Sequence, residues 1–330
     1  MRPNKRFKGW GKIALKTEDG METVAAAPVI ISASRATDLT AFYSAWFMDR
    51  LRKGYLIKRF PRNLKRTEYI SFNNTRLIVF WTKNPKPLLQ HLDQIEQMGI
   101  SYYFQYTLND YEGDALEPHV PPLNARIACF KTLSRRIGKE RVIWRFDPLL
   151  LTDVIDSTTL VEKVRNIMAR LSGFTEKLVI SFLQADQHKK VVNNLNKAGI
   201  KYQDFARDDM QYIASDLSQM GKTFGIEVAT CAAEVDLSQI GVTPNKCIDD
   251  GLITRVFNHD DALMKFIGDG KGLRDLGQRT ACRCIVSKDI GEYHTCQHLC
   301  VYCYANLSEK MVNRNVAMIT QTGEMLLPPC

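Results

Sequence analysis

Leu77-Ile78-Val79-Phe80-Trp81-Thr82-Lys83-Asn84-Pro85, with Tyr102-Tyr103-Phe104-Gln105-Tyr106-Thr107 following after a helical stretch, decides the fold class of this 330-residue chain. The first run is apolar, rich in β-branched and aromatic residues and closed by a proline, the pattern of a strand buried on both faces. Residues 86–98 then carry apolar side chains at helical spacing before the second run begins. Strand, helix, strand is a β/α unit, and a crossover of that length implies parallel pairing. The same alternation recurs outward from here, with strands expected at 28–34, 141–146, 177–182, 225–230 and 282–286 and helices at 41–52, 123–137, 157–171 and 207–220. The expectation is an α/β fold, specifically a (β/α) barrel, partial or nearly closed; a flat doubly wound sheet is the alternative.

In such folds the reactive groups lie at the carboxyl ends of the strands. Those ends read Ser32-Ala33-Ser34-Arg35, Trp81-Thr82-Lys83, Tyr106-Thr107, Trp144-Arg145-Phe146-Asp147-Pro148 and Thr230-Cys231. Lys83, placed directly after an apolar strand, must either reach to water or point into the cleft and hold a carboxylate or phosphate. Glu117 with Arg126, and Arg145 with Asp147, read equally well as buried ion pairs or as site residues.

Near the carboxyl end stands Cys296-Gln297-His298-Leu299-Cys300-Val301-Tyr302-Cys303. Three thiolates can hold three irons of a [4Fe-4S] cluster and leave the fourth iron open to a small molecule, whereas an electron-transfer cluster takes four. A zinc site completed by His298 or His294 is the competing reading. A disulfide framework fits poorly, because the 9 Cys are few for 330 residues and the stretch 1–16 is basic without the apolar core of a signal peptide. Reduced thiols and a cytoplasmic location follow as expectations.

The Cys motif, with an aromatic before its third Cys, resembles the signature of the radical S-adenosylmethionine (SAM) superfamily. Thr82-Lys83-Asn84-Pro85, the stretch 106–118, Arg126 and Arg145-Phe146-Asp147-Pro148 are similar to the spore photoproduct lyase branch. The chain looks closest to an uncharacterised bacterial family sharing the Phe-Trp-Thr-Lys-Asn-Pro, Trp-Arg-Phe-Asp-Pro and Asp-Ile-Gly-x-Tyr-x-x-Cys segments. The resemblance implies a [4Fe-4S] cluster on Cys296, Cys300 and Cys303, SAM chelated at the open iron, reductive cleavage to a 5'-deoxyadenosyl radical, and an electron donor such as flavodoxin or ferredoxin. Among the strand-end residues Ser34, Arg35, Thr82 and Thr107 are candidates for binding the cofactors, with Tyr302 packing beside the cluster, and Cys231, Lys83, Arg145 and Asp147 are candidates for catalysis. The superfamily places its cluster loop after the first strand and here it lies near the last. Circular permutation reconciles the two if 282–286 is the equivalent strand, 287–303 the cluster loop and 304–314 the next helix.

Cys231, Cys247, Cys282 and Cys284 form a second set. They match the complement of an auxiliary [4Fe-4S] cluster; alternatively Cys231 alone returns a hydrogen atom to a radical, as the resemblance allows, or all four are inert buried thiols. Cys129 sits among apolar residues and is expected to be inert.

The rest of the chain bounds these readings. One domain over 28–317 is expected, with a loosely ordered basic leader at 1–27 and a tail at 318–330. The longest apolar runs are far below the roughly 20 residues of a membrane helix. Net charge is +9, and Lys and Arg cluster at 1–16 and 50–66 without any Asp or Glu, interleaved with Phe7, Trp10, Tyr55 and Phe60. Such segments could track a nucleic-acid backbone, as in photoproduct repair, or form a solvated face. A small-molecule or peptide substrate is slightly preferred. A non-catalytic zinc or iron-sulfur protein on a barrel scaffold is the remaining functional class.

Overall fold

The structure, a computed structural model, describes residues 7–60, 63–184, 189–268, 270 and 272–329. Its strands are β1 (Gly11–Lys16), β2 (Glu22–Ala27), β3 (Ile30–Ala33), β4 (Tyr55–Phe60), β5 (Asn63–Ser71), β6 (Leu77–Thr82), β7 (Ser101–Thr107), β8 (Val142–Leu149), β9 (Leu151–Thr152), β10 (Lys177–Phe182), β11 (Tyr202–Gln203), β12 (Glu227–Thr230), β13 (Thr243–Pro244) and β14 (Lys288–Asp289). The helices are α1 (Leu39–Phe42), α2 (Ser44–Lys53), α3 (Leu92–Gln97), α4 (Leu123–Ile137), α5 (Ser157–Leu171), α6 (Lys189–Lys197), α7 (Arg207–Phe224), α8 (Asp250–Val256), α9 (Asp261–Ile267) and α10 (Glu309–Val316).

The expected β/α alternation is present as an eight-stranded sheet in the order β13-β12-β10-β8-β7-β6-β3-β14, and its ladders are parallel. Successive side chains on each strand point to opposite faces. Ile31, Ile78, Phe80, Phe104, Trp144 and Ile180 join one core with Trp46 of α2, Leu92 of α3, Ile127 of α4, Leu160 of α5 and Ile213 of α7. Ile30, Leu77, Val79, Tyr103, Ile143 and Val179 join a second core with Leu252 and Ile253 of α8 and Leu263 and Ile267 of α9. Burial on both faces explains why the strands read as continuous apolar runs. The helices that connect β3 through β12 share one face, and α8 and α9, between β13 and β14, cover the other. The ladder does not close into a barrel: it ends at β13 on one side and β14 on the other.

Other expectations are corrected. Residues 282–286 are not a strand: the segment makes one isolated bridge, Arg274 to Ile285, and the edge strand is β14 just beyond it. The helix placed at 304–314 begins only at Glu309, where Ser308 caps it by accepting from the Met311 N–H. The stretch 1–27 is not a loose leader throughout, since β1 and β2 pair antiparallel and join the four-stranded sheet β1-β2-β5-β4. The tail is tied down as well: Trp46 Nε1 donates to the Gly323 carbonyl at 2.7 Å, the Ile57 N–H to that of Glu324 at 2.8 Å, and Leu326 and Leu327 are buried. Among the described residues no helix is long and apolar enough to cross a membrane.

Candidate functional site

The strand ends open on one cavity of about 560 Å³. Ser34 and Arg35 follow β3, Thr82 and Lys83 end and follow β6, Thr107 ends β7, Arg145 and Asp147 lie toward the end of β8, and Cys231 follows β12. All of them line it, together with Tyr302, Cys296, Cys300, Cys303, Cys247, Cys282 and Cys284. These candidates are thus brought to the carboxyl end of the parallel sheet, where α/β folds place their ligands, while Glu117, Arg126 and His294 do not line the cavity.

The loop bearing the first three cysteines is held from several sides. Asp289, at the end of β14, accepts from Ser34 Oγ (2.9 Å), the Arg35 N–H (2.8 Å) and the Gly291 N–H (3.0 Å), with Lys58 Nζ 3.4 Å away. Burial pushes its carboxyl up, but Lys58, the Arg35 amide and the Arg35 guanidinium outweigh this and hold it low. A Cβ on Gly291 would stand 1.9 Å from Ser34 Oγ, so the approach of the loop to β3 requires glycine there. Farther along, Tyr43 donates to the Thr295 carbonyl at 2.5 Å, and Asn306 to that of Cys296 at 2.8 Å. The Cys303 N–H reaches the Cys300 carbonyl at 3.0 Å, and the Ala305 N–H reaches Cys303 Sγ at 3.3 Å.

Lys83 does not hold an open anion site. Its ammonium donates to Glu117 at 2.7 Å and to the Tyr302 hydroxyl at 2.9 Å, while Tyr302 itself donates to Glu117. Asn109 donates to the same hydroxyl at 3.0 Å, and Arg126 Nη1 lies 3.5 Å from Glu117. The Glu117 carboxyl is pushed up by burial and more strongly down by Lys83 and Arg126, so it stays ionised. Glu117 and Arg126 therefore do pair, inside a network that also fastens Tyr302. That tyrosine is an anchor as well as a packing group, because the residue between Cys300 and Cys303 is bolted to β6.

His298 is spoken for. Its Nε2 donates to Asp38 at 2.9 Å, its Nδ1 lies 3.3 Å from the His119 carbonyl, and Phe42 packs edge-on against the ring at 4.6 Å. With both nitrogens engaged by protein, this histidine is poorly placed to complete a Cys3His zinc site. His294 accepts from the Leu307 N–H through Nδ1 at 3.0 Å. Burial raises the thiols of Cys296, to about 12, and of Cys300 and Cys303, so each is held as the neutral thiol.

Ser34 and Thr82 use their hydroxyls within the wall. Ser34 Oγ also accepts from the Ala36 N–H at 2.9 Å, and Thr82 Oγ1 donates to Asp38 at 3.1 Å. Arg35 lies over the Trp81 ring at 5.3 Å, is 3.9 Å from Asp275, and leaves Nη2 buried without a hydrogen-bond partner. Arg145 lies over the same ring at 5.1 Å and is salt-bridged to Asp147.

The second set of cysteines is gathered too. Cys231 Sγ and Cys247 Sγ are 3.7 Å apart; Arg145 Nη1 donates to Cys247 Sγ at 2.9 Å and Asn245 Nδ2 at 3.3 Å. Cys284 Sγ accepts from the Cys247 N–H at 3.2 Å. Because 282–286 is irregular, Cys282 and Cys284 reach the cavity instead of lying at the opposite end of a strand. Among the described residues no three His, Cys, Asp or Glu side chains already surround a common point as a bound metal requires. Cys129 is half-buried on α4, away from the cavity lining.

Sequence reasoning gave no role to Asp289, Asp38, Asn109 or Arg279. Only Asp289 had a signal, the Asp-Ile-Gly segment, and its role depends on Ser34, 255 positions away.

Of the described basic residues in these segments, Arg50, Lys58 and Arg59 turn inward, whereas Lys8, Lys12, Lys16, Arg52, Lys53 and Arg66 are exposed. Arg50 is fully buried and paired with Glu18 and Asp49, Lys53 pairs with both, and Lys58 reaches Asp289. Arg59 is buried, Trp10 stacks on Phe266 at 5.7 Å, Tyr55 is buried, and Phe60 carries Arg66 at 4.5 Å. Arg2, Lys5, Arg6 and Arg62, and the side chain of Lys65, lie outside the described residues.

No curated protein matches the chain. One solved structure does, described as "a putative alpha-L-fucosidase" from Bacteroides thetaiotaomicron VPI-5482; it is 12% identical, covers 73% of this chain and 81% of that one, and has a TM-score of 0.25, too slight a likeness to carry an argument. The family described as "Domain of unknown function (DUF1848)" matches residues 30–305, which include every strand of the parallel sheet and both sets of cysteines. The chain belongs to that family.

Proposed function

We propose that the chain is a radical SAM enzyme that carries a [4Fe-4S] cluster on Cys296, Cys300 and Cys303 and acts on a small-molecule or peptide substrate in the cavity. The observation that carries the reading is where the three-cysteine loop leaves the sheet. It follows β14, β14 pairs with β3, and from there the order β3-β6-β7-β8-β10-β12 is also chain order. Moving β14 and its loop to the front would give a partial (β/α) barrel with the loop after its first strand, the arrangement expected of a circularly permuted member.

The donor set fits a cluster with one open iron: three free thiols in one loop, facing a cavity large enough for a further ligand. When bound, the cluster would supply an electron to the SAM sulfonium and release a 5'-deoxyadenosyl radical. This chain's own residues do the rest. Lys83 keeps a positive charge beside Cys300, since burial, which lowers its ammonium, is outweighed by Glu117 and Cys300 together. Tyr302 and Asp289 fix the two ends of the loop. Arg35, with its partnerless Nη2, is the group best suited to a carboxylate or phosphate. Phe182, Leu183 and Val191 form an apolar wall that excludes water from a reactive intermediate.

The test is reduction of anaerobically purified, iron-reconstituted protein in the presence of SAM. 5'-Deoxyadenosine is expected from wild type and none from Cys296→Ala, Cys300→Ala or Cys303→Ala. Undiminished cleavage by any of the three would remove the reading.

A further inference from the structure

The open side of the sheet is where the second set of cysteines lies. Cys231 follows β12 and Cys247 follows β13, at one edge; Cys282 and Cys284 precede β14, at the other. No strand ladder joins those edges. They are instead bridged by loops, with the Ile285 N–H donating to the Ile248 carbonyl at 3.1 Å and the Cys247 N–H to Cys284 Sγ at 3.2 Å. We infer that Cys231, Cys247, Cys282 and Cys284 together bind a single tetrahedrally coordinated metal ion, zinc in the first instance, that ties the two edges of the open sheet.

Three observations carry the inference. The first is spacing. Four thiolates about 2.3 Å from one ion stand about 3.8 Å from each other along the edges of the tetrahedron, and Cys231 Sγ to Cys247 Sγ is 3.7 Å. The thiolates of a four-iron cluster sit on separate irons at the corners of a cube and are necessarily farther apart.

The second is the hydrogen bonding of the sulfurs. Cys247 Sγ accepts from Arg145 and Asn245, and Cys284 Sγ from two backbone amides, the second being Ile248 N–H at 3.5 Å. Donors of this kind orient metal-bound thiolates and stabilise their charge. Neutral inert thiols have no need of a buried guanidinium. The third is charge. Four thiolates and a divalent ion sum to −2, and two guanidinium groups face the sulfurs, Arg145 at 2.9 Å from Cys247, itself also paired with Asp147, and Arg279 at 3.9 Å from Cys231.

Cys247 and Cys284 are buried and already held, while Cys231 and Cys282 are half-exposed. As free thiols the four do not surround one point. Closing the tetrahedron is assigned chiefly to side-chain rotation of Cys282, with Cys231 and Cys247 keeping the separation they already have.

The site is separable from the first cysteine loop, so its test uses the Cys296→Ala/Cys300→Ala/Cys303→Ala protein. Elemental analysis of that full-length variant should give about one metal per chain, with no acid-labile sulfide. Adding Co²⁺ to the metal-stripped variant should produce thiolate-to-cobalt charge transfer and the visible bands of a tetrahedral ion, displaced by Zn²⁺. Cys284→Ser should abolish both signals. Cys231→Ser, milder because its side chain is half-exposed, should weaken cobalt binding at least tenfold while leaving the circular dichroism of the fold intact. Iron accompanied by equimolar sulfide in the triple variant would overturn the inference in favour of a cluster. Absence of any bound metal, with no cobalt spectrum, would overturn it in favour of inert thiols. Neither result bears on SAM cleavage by wild type.

Discussion

The two groups of cysteines that share the cavity are built in opposite ways. Cys296, Cys300 and Cys303 are neighbours in sequence on one loop, and that loop is fixed by other residues: Lys83, Glu117 and Tyr302 on one side, Asp289 and Ser34 on the other. Cys231, Cys247, Cys282 and Cys284 come from distant segments, touch each other through sulfur, and take their donors directly from Arg145, Asn245 and the backbone. A group close in sequence needs scaffolding to present it, whereas a group assembled from afar is itself part of the scaffold. The first is therefore expected to fail in its chemistry when altered and the second in its own metal binding.

The largest expected effect separates the two outright. Cys300→Ala should lose all cluster iron and all SAM cleavage yet keep the metal of the second group, as read by iron, sulfide and zinc content in one preparation. Loss of both metals together would mean that the groups form a single unit and that the contrast is false.

Next in size is Glu117→Gln. Its removal leaves Lys83 and Arg126 buried without a carboxylate, which costs about 3–5 kcal/mol when a buried pair is broken; urea unfolding of the metal-free protein measures it. The pH dependence has a definite sign. The folded-state carboxyl is held below its ordinary value, so its stabilisation is present above the unfolded pKa of about 4.3 and is lost as the pH falls through the folded value. The Glu117→Gln protein should lack that part of the acid-induced loss of stability.

A smaller change sharpens the other side. Arg145→Lys keeps a charge but not the planar fork that spans Cys247, Gln105 and Asp147. It should weaken metal binding at the second group by about 10–100-fold, followed by chelator competition, and leave retention of iron by the first loop unchanged. The smallest effect is that of Tyr302→Phe, which forfeits hydrogen bonds with Glu117, Lys83 and Asn109 and should cost about 1–2 kcal/mol. An unchanged unfolding midpoint would return Tyr302 to a packing role.

How much of this was legible in the sequence follows the same division. The β/α alternation was readable because strands buried on both faces leave uninterrupted apolar runs such as 77–81, and the first cysteine group because its spacing is local. The strand misplaced at 282–286 contains Cys282 and Cys284, whose apolar neighbours made it look like a strand although it pairs through loops. For Lys83 the sequence left open whether it reaches water or points into the cleft; it points in, and its partner Glu117 is fixed by the chain's return after β7, which no local pattern encodes. The charge of 50–66 looked solvent-facing because Glu18 and Asp289, which neutralise Arg50 and Lys58, lie far away in sequence.

The pairing of β14 with β3 places the three-cysteine loop at a particular moment in the life of the molecule. Ser32 and Asp289, which are hydrogen-bonded across that edge, are separated by 257 positions. A ribosome adding roughly 5–20 residues per second makes the edge of β3 wait about 13–50 s for its neighbour. Throughout that interval the nascent sheet presents an unpaired strand edge, which invites pairing with other chains. A chain released early would carry most of the sheet and none of the three-cysteine loop. On the proposed function, a cluster could be loaded only onto chains in which this loop has already been made.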